Sequence, residues 1–296
     1  MSAAVREAAL PQAQLSPRTA VGAAALAVLF AAVHYRTFAE LWRVWETNDN
    51  YSHGPLVPLA AAFLVWRRRH DLAALPARPS AAGLAVVAAG CAMHVLGLRA
   101  DVFALQGWSA LVTLAGLVLA FCGPALTRVL AFPLAFLAFM LPFPPFVVNP
   151  LSYGLKEITV RLSTAGAEAL GATLQRSGMT LYLMTGELRM ENPCSGLRSL
   201  VALLATGALF AHLQPGGRWR RAVMLLAAVP IAMLGNAVRT TLLILIAHYL
   251  DVDAVEGALH DASGVLVYAV ALAAMLALRA ALTPRVRPAA RSEVPA

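Results

Sequence analysis

The sequence predicts an all-α polytopic membrane protein with about eight transmembrane helices and a structured insertion on its outer face. Hydrophobic residues make up 60% of the 296 residues and charged residues only 13%, and the mean hydropathy is +0.71. Long apolar stretches recur along the whole chain, and arginines cluster at alternate ends of these stretches. A chain with this composition uses lipid rather than water as the solvent for most of its surface.

The count of spans comes from apolar stretches that are bounded by charged or Pro/Gly-rich breaks. The second stretch is short and is the weakest candidate for a span. We expect a single kinked helix over 222–249, with bends at Pro230 and Gly235. The eight stretches are 19–37, 54–66, 81–98, 107–122, 129–147, 197–213, 222–249 and 262–281.

The arginine distribution predicts that both termini are cytoplasmic and that the protein lies in the inner membrane. The predicted inner side carries 14 Lys and Arg against 3 Asp and Glu, and the outer side carries 9 against 12. The net charge of +8 therefore follows from topology. The basic clusters flank apolar spans and lack interleaved aromatic residues, which excludes a nucleic-acid partner.

Three segments make up the predicted domain organisation. Residues 1–18 form a cytoplasmic N-terminal tail, residues 19–283 form the transmembrane domain, and residues 284–296 form a disordered cytoplasmic tail rich in Pro, Arg and Ala. The outer-face, periplasmic insertion covers residues 148–196 and follows a helix-breaking Pro-Phe-Pro-Pro sequence.

Two elements are expected inside the insertion. The first is an amphipathic helix lying on the membrane, because six apolar residues recur at helical spacing. The second is a short β-hairpin between Met179 and Met190, because apolar residues alternate there around Thr185-Gly186-Glu187. The apolar face of the predicted helix consists of Leu155, Ile158, Leu162, Ala165, Ala169 and Leu174.

Cys194 is the strongest candidate for a nucleophile. Asn192 suits a helix N-cap and Pro193 suits the first helical position, which puts the thiol in the first turn of a predicted helix. Unpaired N–H groups and the helix dipole favour a thiolate there. Cys91 is predicted inside a span and Cys122 near a cytoplasmic end, so we expect Cys194 to remain a free thiol.

Arg239 and His260 are expected at the same outer face as Cys194. The 18 residues from Arg221 to Arg239 span about 27 Å as a helix, close to the thickness of the hydrocarbon core. A thiol, an imidazole and a guanidinium supply a nucleophile, a general acid/base and a donor for a developing oxyanion. Each residue also has a purely structural interpretation. Cys194 could be a small core residue, Arg239 could reach the membrane interface, and His260 could be a structural histidine.

Several residues are candidates for supporting roles. Asn236 lies one turn before Arg239 and can share its helix face, and His53 lies in a polar segment before a span, where it is either structural or a substrate contact. Glu191 and Ser195 lie close to Cys194 and could contact the substrate. No metal site and no cofactor are expected, because the remaining histidines lack a matching acidic or thiol cluster.

Three ordered motifs carry a resemblance to a known family. They are Cys194-Ser-Gly-Leu-Arg-Ser-Leu200, Asn236-Ala-Val-Arg239 and His260-Asp-Ala-Ser-Gly264. With the early Tyr51-Ser-His-Gly54, they resemble the motifs of the exosortase/archaeosortase family, and the likeness extends over nearly the whole chain. One departure is Glu191-Asn-Pro193 before the cysteine, where an acidic residue and a small one are expected closer to the thiol.

The resemblance implies a membrane-embedded cysteine protease and transpeptidase of the bacterial exosortase type. It implies that Cys194 is the nucleophile, that Arg239 stabilises the transition state and that His260 is the acid/base. Family substrates are exported proteins with a C-terminal sorting signal of the PEP-CTERM type, which combines a Pro-Glu-Pro-type motif, a transmembrane helix and a basic end. Because the chain ends soon after its last predicted span, any periplasmic accessory domain is expected to be a separate protein.

Two other functions remain open at the level of sequence. One is a transporter or a non-enzymatic assembly factor for exopolysaccharide or surface-protein export, which would place charged residues at mid-membrane and not at one face. The other is an acyltransferase that uses Cys194 on a lipid donor, and it differs from a peptidase only in the acyl group that the thiol accepts.

Overall fold

The computed structural model describes residues 17–189, 197–250, 252, 255 and 258–283, and the chain divides into two compact units at Pro144 and Pro145. The helices of the first unit are joined by short turns and by two 3₁₀ segments, Asp49–Tyr51 and Leu137–Met140. They are α1 (Pro17–Val33), α2 (Tyr35–Thr47), α3 (Leu56–Arg67), α4 (Arg69–Ala74), α5 (Ala81–Arg99) and α6 (Phe103–Phe136).

The second unit combines helices with a small sheet. Its elements in the described residues are α7 (Pro145–Ala169), β1 (Leu174–Ser177), β2 (Thr180–Leu183), β3 (Gly186–Arg189), α8 (Leu197–Leu213), α9 (Arg218–Leu226), α10 (Ala228–Tyr249) and α11 (Ala258–Leu282). The sheet is antiparallel with the order β1-β2-β3. The predicted hairpin is therefore confirmed, and it carries one further strand.

Helices long and apolar enough to cross a membrane number four among the described residues, or five if the bent pair of α1 and α2 counts as one span. The predicted count of eight is not confirmed. The stretch 54–66 forms a helix of 12 residues and 197–213 one of 17, both below the length of a span. The stretches 107–122 and 129–147 fall mainly within one helical segment, Phe103–Met140.

That long segment folds back on itself at Gly123. Gly123 has a φ of 78°, and a Cβ on it would collide with the carbonyl oxygen of Arg78, so only glycine fits there. Leu141 packs against Gly107, whereas 34 residues of straight helix would separate them by about 51 Å. The two predicted stretches are thus the two arms of a helical hairpin.

Helix α5 packs against the first arm of α6 through glycines. Gly83, Gly90 and Gly97 recur at every seventh residue, and a Cβ on each would meet backbone atoms of α6. Their partners Ala120, Thr113 and Gln106 also recur at every seventh residue in descending order, so the helices are antiparallel. Small residues allow this close approach, which gains dispersion and backbone contacts in the absence of a hydrophobic driving force within lipid.

The apolar face predicted to lie on the membrane is mostly exposed, and a different face of α7 packs on the protein. Ile158 and Leu162, which belong to the predicted apolar face, are 42% and 48% exposed. Thr159, Ser163 and Ala167 are buried instead and pack on α10. Short hydroxyl side chains can form hydrogen bonds across a tight helix contact and are therefore readily buried there. The spacing of apolar residues alone does not reveal such a buried polar face.

Leu174 was predicted on the same helix and lies instead in β1. Gly171, with a φ of 93°, follows α7, and the Ala172 amide donates to the Ala167 carbonyl, as at a helix end capped by glycine. Beyond it, Leu181 and Leu183 of β2 are buried in a core with Val160 of α7 and Ile244 of α10. The sheet is thereby fixed on the carboxyl end of α10.

Helices α9 and α10 together form one candidate span of 32 residues, Arg218–Tyr249, which agrees with the expected single bent helix over 222–249. The helix is interrupted at Ala227, three residues before Pro230, and α10 continues without interruption through Gly235. The proline ring excludes the carbonyl four residues earlier, that of Leu226, so the disturbance appears one turn before Pro230.

The glycine packing between α5 and α6 generates a stability prediction. Gly90→Ala should destabilise the protein by about 1–3 kcal/mol, because the added methyl has no space beside the Thr113 backbone. The matched control is Gly22→Ala in α1, where nothing lies within 4 Å of the added Cβ. Alanine favours a helix over glycine, so Gly22→Ala should leave the thermal midpoint in detergent unchanged or raised. Equal midpoints for both variants would contradict the packing account.

Candidate active site

Part of the predicted site lies outside the described residues. This holds for Cys194, Glu191 and Ser195, and the described part of the chain resumes at Leu197, the first residue of α8. His260 lies in the first turn of α11, and its side chain is also outside the described part. The geometry around Arg239 is described and shows how the surrounding helices are aligned.

Helix α8 runs antiparallel to α9 and α10. A short connection joins α8 to α9, and a Cβ on Gly207 would lie 3.1 Å from the Ala228 Cβ and 3.5 Å from the Met224 oxygen. Leu197 precedes Gly207 by ten residues, and ten residues after Ala228 lead to Val238. The start of α8 is therefore level with the turn of α10 that carries Arg239.

Helix α11 runs parallel to α8. The Thr206 and Tyr268 hydroxyl oxygens lie 3.3 Å apart, and one turn of α8 further on, the Arg279 guanidinium lies 5.4 Å from the Phe210 ring centroid. From the first contact to the second, the residue numbers rise along both helices, so α8 and α11 run in the same direction. Their amino-terminal turns therefore lie at the same end of the second unit. His260 belongs to that first turn of α11.

Arg239 contacts α11 directly. Its Nε donates a hydrogen bond of 2.9 Å to Ser263 Oγ, and a Cβ on Gly264 would be 3.5 Å from its Nη2. The guanidinium thus faces the position that a side chain at residue 264 would occupy, which glycine leaves open. Ser263 follows His260 by three residues, which places the two on one helix face.

Asn236, one turn before Arg239 on α10, is bonded to α7. It is 4% exposed, and its Nδ2 donates to Thr159 Oγ1 at 3.4 Å. One turn further along α7, Ser163 Oγ donates to the Ala237 carbonyl at 3.0 Å, and Thr241 Oγ1 donates to the Ser163 carbonyl at 3.4 Å. This polar seam fixes the backbone of α10 at the turn that carries Arg239.

His53 belongs to the first unit, where it contacts the segment that follows α6. Its Nε2 donates to the Phe139 carbonyl at 3.2 Å, Trp45 Nε1 donates to the Met140 carbonyl at 3.0 Å, and the Phe143 amide donates to the Tyr51 hydroxyl at 3.1 Å. Burial raises the pKa of Tyr51. These bonds give the Tyr51-Ser-His-Gly54 motif a structural task, and a substrate contact by His53 stays a prediction.

Charged residues fix the β1 edge of the sheet to α7. Glu157 accepts hydrogen bonds from Arg161 Nε at 2.7 Å and from Arg176 Nη2 of β1 at 2.8 Å. These two hydrogen bonds hold the pKa of Glu157 below its ordinary value. Glu157 therefore stays ionised at neutral pH and links α7 to the strand.

Ser263 and Gly264 are the site residues that the sequence did not single out for a role. Both lie within the third motif, His260-Asp-Ala-Ser-Gly264, and their spacing of three and four from His260 is the signal for a shared helix face. The sequence does not show that Arg239 of another helix reaches the same face. Among the described residues, no cluster of three or more metal-ligating side chains occurs.

Comparison with known proteins gives one match. A model of the transmembrane exosortase family matches residues 45–277. Neither the curated proteins nor the solved structures contain a match. The matched region covers more than three quarters of the sequence and includes all three motifs, the first unit's Tyr51-Ser-His-Gly54 and the contact between Arg239 and Ser263. The chain therefore belongs to the transmembrane exosortase family.

Proposed function

We propose that this exosortase-family protein is a cysteine peptidase and transpeptidase that cleaves C-terminal sorting signals of exported proteins. The observation that carries the proposal is the alignment of α8, α10 and α11, in which Arg239 of α10 bonds Ser263 of α11. Cys194 precedes α8 by three residues, and His260 lies one turn before Ser263. The alignment supports a site to which all three motifs contribute.

The proposed chemistry divides one difficult step into two. The Cys194 thiolate attacks the scissile carbonyl carbon, and Arg239 stabilises the negative charge on the carbonyl oxygen. The C–N bond breaks as His260 gives a proton to the leaving amine, which leaves a thioester on Cys194. Water or an amine acceptor then attacks the thioester, its proton passes to the now neutral His260, and the C–S bond breaks to release the thiolate. Arginine suits the electrostatic task because it stays charged.

The environment proposed for this site is the periplasmic face of the inner membrane, with both termini in the cytoplasm. The arginines in the first turn of α9, the span of 32 residues and the apolar α11 support this orientation. A span of that length is about 48 Å long, so α10 extends beyond a hydrocarbon core of about 30 Å. The substrate helix would enter from lipid, and an accessory periplasmic protein is a further proposed partner.

An acyltransferase is the second candidate, because the same three residues could transfer an acyl chain from a lipid donor. A transporter is supported less well. Arg239 bonds a neighbouring helix and lies 18 residues, about 27 Å, beyond Arg221 at the basic end of its span, which favours a position near one face over one at mid-membrane. The group trapped on Cys194 separates the peptidase from the acyltransferase.

The nucleophile assignment gives the first functional prediction. Host cells that carry Cys194→Ala should leave the C-terminal signal of an exported reporter uncleaved, as seen by mass spectrometry of the reporter. Arg239→Lys should slow cleavage by roughly 100- to 1,000-fold, because lysine lacks the planar fork that orients several donors. In the wild type, the trapped thioester should carry a peptide. A trimmed signal in Cys194→Ala cells would rule out this nucleophile, and a fatty acyl adduct would favour the acyltransferase.

The hydrogen bond between Arg239 and Ser263 gives the second prediction. Ser263→Ala should lower kcat by about 10- to 100-fold with little change in KM, because a hydrogen bond to a charged group is lost and the guanidinium is no longer held in place. Ser263→Thr keeps an acceptor oxygen and should restore most of kcat.

The control for Ser263 is Thr206→Val in α8, whose hydroxyl donates to the Ala202 carbonyl of its own helix and also lies 3.3 Å from the Tyr268 hydroxyl of α11, so it matches the loss of one hydroxyl contact to α11. This variant removes a hydroxyl from the same unit without touching Arg239, so kcat should stay near that of the wild type. A kcat for Ser263→Ala equal to that of Thr206→Val would show that Ser263 does not position the arginine.

A further inference from the structure

The two edges of the small sheet differ. At the β1 edge, Arg176 is bonded to Glu157 of α7, and only 26% of its side chain is exposed. At the β3 edge, Glu187 and Arg189 are 51% and 68% exposed. Natural proteins normally cover or shorten sheet edges, because unpaired backbone groups bind other strands. The structure therefore covers one edge with a helix, and no described residue covers the other in that way.

The register shows which groups of β3 point outwards. Leu183 and Gly186 are partners across the two-residue turn Met184-Thr185, so this closing pair exchanges hydrogen bonds. Bonded and non-bonded pairs then alternate, which makes Leu188 bond to Leu181 of β2. Glu187 and Arg189 consequently direct their N–H and C=O groups away from the sheet. In the described part of the chain, these outward groups have no backbone partner.

The β3 edge is held rigidly against α10. Thr185 Oγ1 donates to the Ala247 carbonyl at 2.7 Å, and Leu181 and Leu183 are 0% and 9% exposed in the core beneath the sheet. A Cβ on Gly186 would lie 3.2 Å from Val252, so the first residue of β3 packs closely. An edge that is fixed in this way loses little conformational freedom when it pairs with another strand.

The strand is also close in sequence to the proposed nucleophile. Cys194 follows Arg189 by five residues, and a chain of this length reaches at most about 18 Å when fully extended. A peptide of several residues that is paired with β3 therefore lies within reach of the thiol. Among candidate ligands, only a polypeptide backbone presents N–H and C=O groups at the two-residue repeat of this edge.

We propose that an extended segment of the substrate polypeptide binds as a fourth strand on β3, through the backbone N–H and C=O groups of Glu187 and Arg189. This inference rests on the proposed peptidase function and specifies how its substrate is held. Main-chain pairing supplies the affinity, and the side chains at alternate substrate positions supply the specificity.

Two variants of the full-length protein in detergent separate the backbone from the side chain at position 187. Glu187→Pro removes the outward N–H and no bond to β2, whereas Glu187→Ala removes the carboxylate and keeps the N–H. With a synthetic peptide that spans a Pro-Glu-Pro-type sorting motif as the probe, Glu187→Pro should raise KM about tenfold and Glu187→Ala should stay near the wild type. Wild-type KM for Glu187→Pro, with Cys194 still required, would overturn strand pairing and leave the proposed function intact.

A second measurement does not depend on the folding of the proline variant. In a series of peptides, each non-proline amide of the probe is replaced in turn by an ester, and cleavage by the wild-type protein is followed. Strand pairing predicts losses of affinity at alternate positions, because every second N–H points to β3. Equal effects at successive positions would overturn it. Cleavage of the probe by Cys194→Ala would instead contradict the proposed function itself.

Discussion

Close approach of helix backbones through glycine and short hydroxyl residues is the constraint on which the rest of this structure depends. Lipid tails are as apolar as leucine, so burial alone does not hold helices together within a bilayer. In the first unit, Gly83, Gly90 and Gly97 bring α5 against α6. In the second unit, Ser163 and Thr241 connect α7 to α10 by hydrogen bonds to backbone carbonyls. A Cβ on any of the three glycines would come closer than 3.0 Å to an atom of α6, so the first contact has no space for a larger residue.

Helix α10 connects this packing to the proposed catalytic site. Its turn from Asn236 to Arg239 is held by α7 on one side and by Ser263 of α11 on another, and the start of α8 is level with it. A guanidinium fixed in this way loses little entropy when charge develops beside it, which is what transition-state stabilisation requires. The sheet packs on the same helix beyond Arg239, so β3 and the proposed catalytic arginine share one rigid support.

The sequence was sufficient for the membrane class, the family and the hairpin, because hydropathy, motif order and strand alternation are local signals. It was not sufficient for the number of spans, because an apolar run does not show how long its helix is, and 54–66 forms only the 12-residue α3. The predicted break between 107–122 and 129–147, by contrast, corresponds to the reversal at Gly123. The face of α7 that packs on α10 was not predicted, for a related reason. Thr159 and Ser163 count as polar in a periodicity, although a hydroxyl that bonds to a neighbouring helix is readily buried. The position of Ser263 beside Arg239 depends on the register of two helices and has no local signal.

The central claim is that the alignment of α8, α10 and α11 brings the three motifs to one place. It is tested most directly by oxidative cross-linking of Cys194 in a protein that lacks the other two thiols through Cys91→Ala and Cys122→Ala. A disulfide needs Cα atoms within about 7 Å, and Tyr268 lies about 12 Å along α11 from His260, beside Thr206. The account predicts a disulfide from Cys194 to His260→Cys and none to Tyr268→Cys. Efficient cross-linking to position 268 with none to position 260 would contradict it.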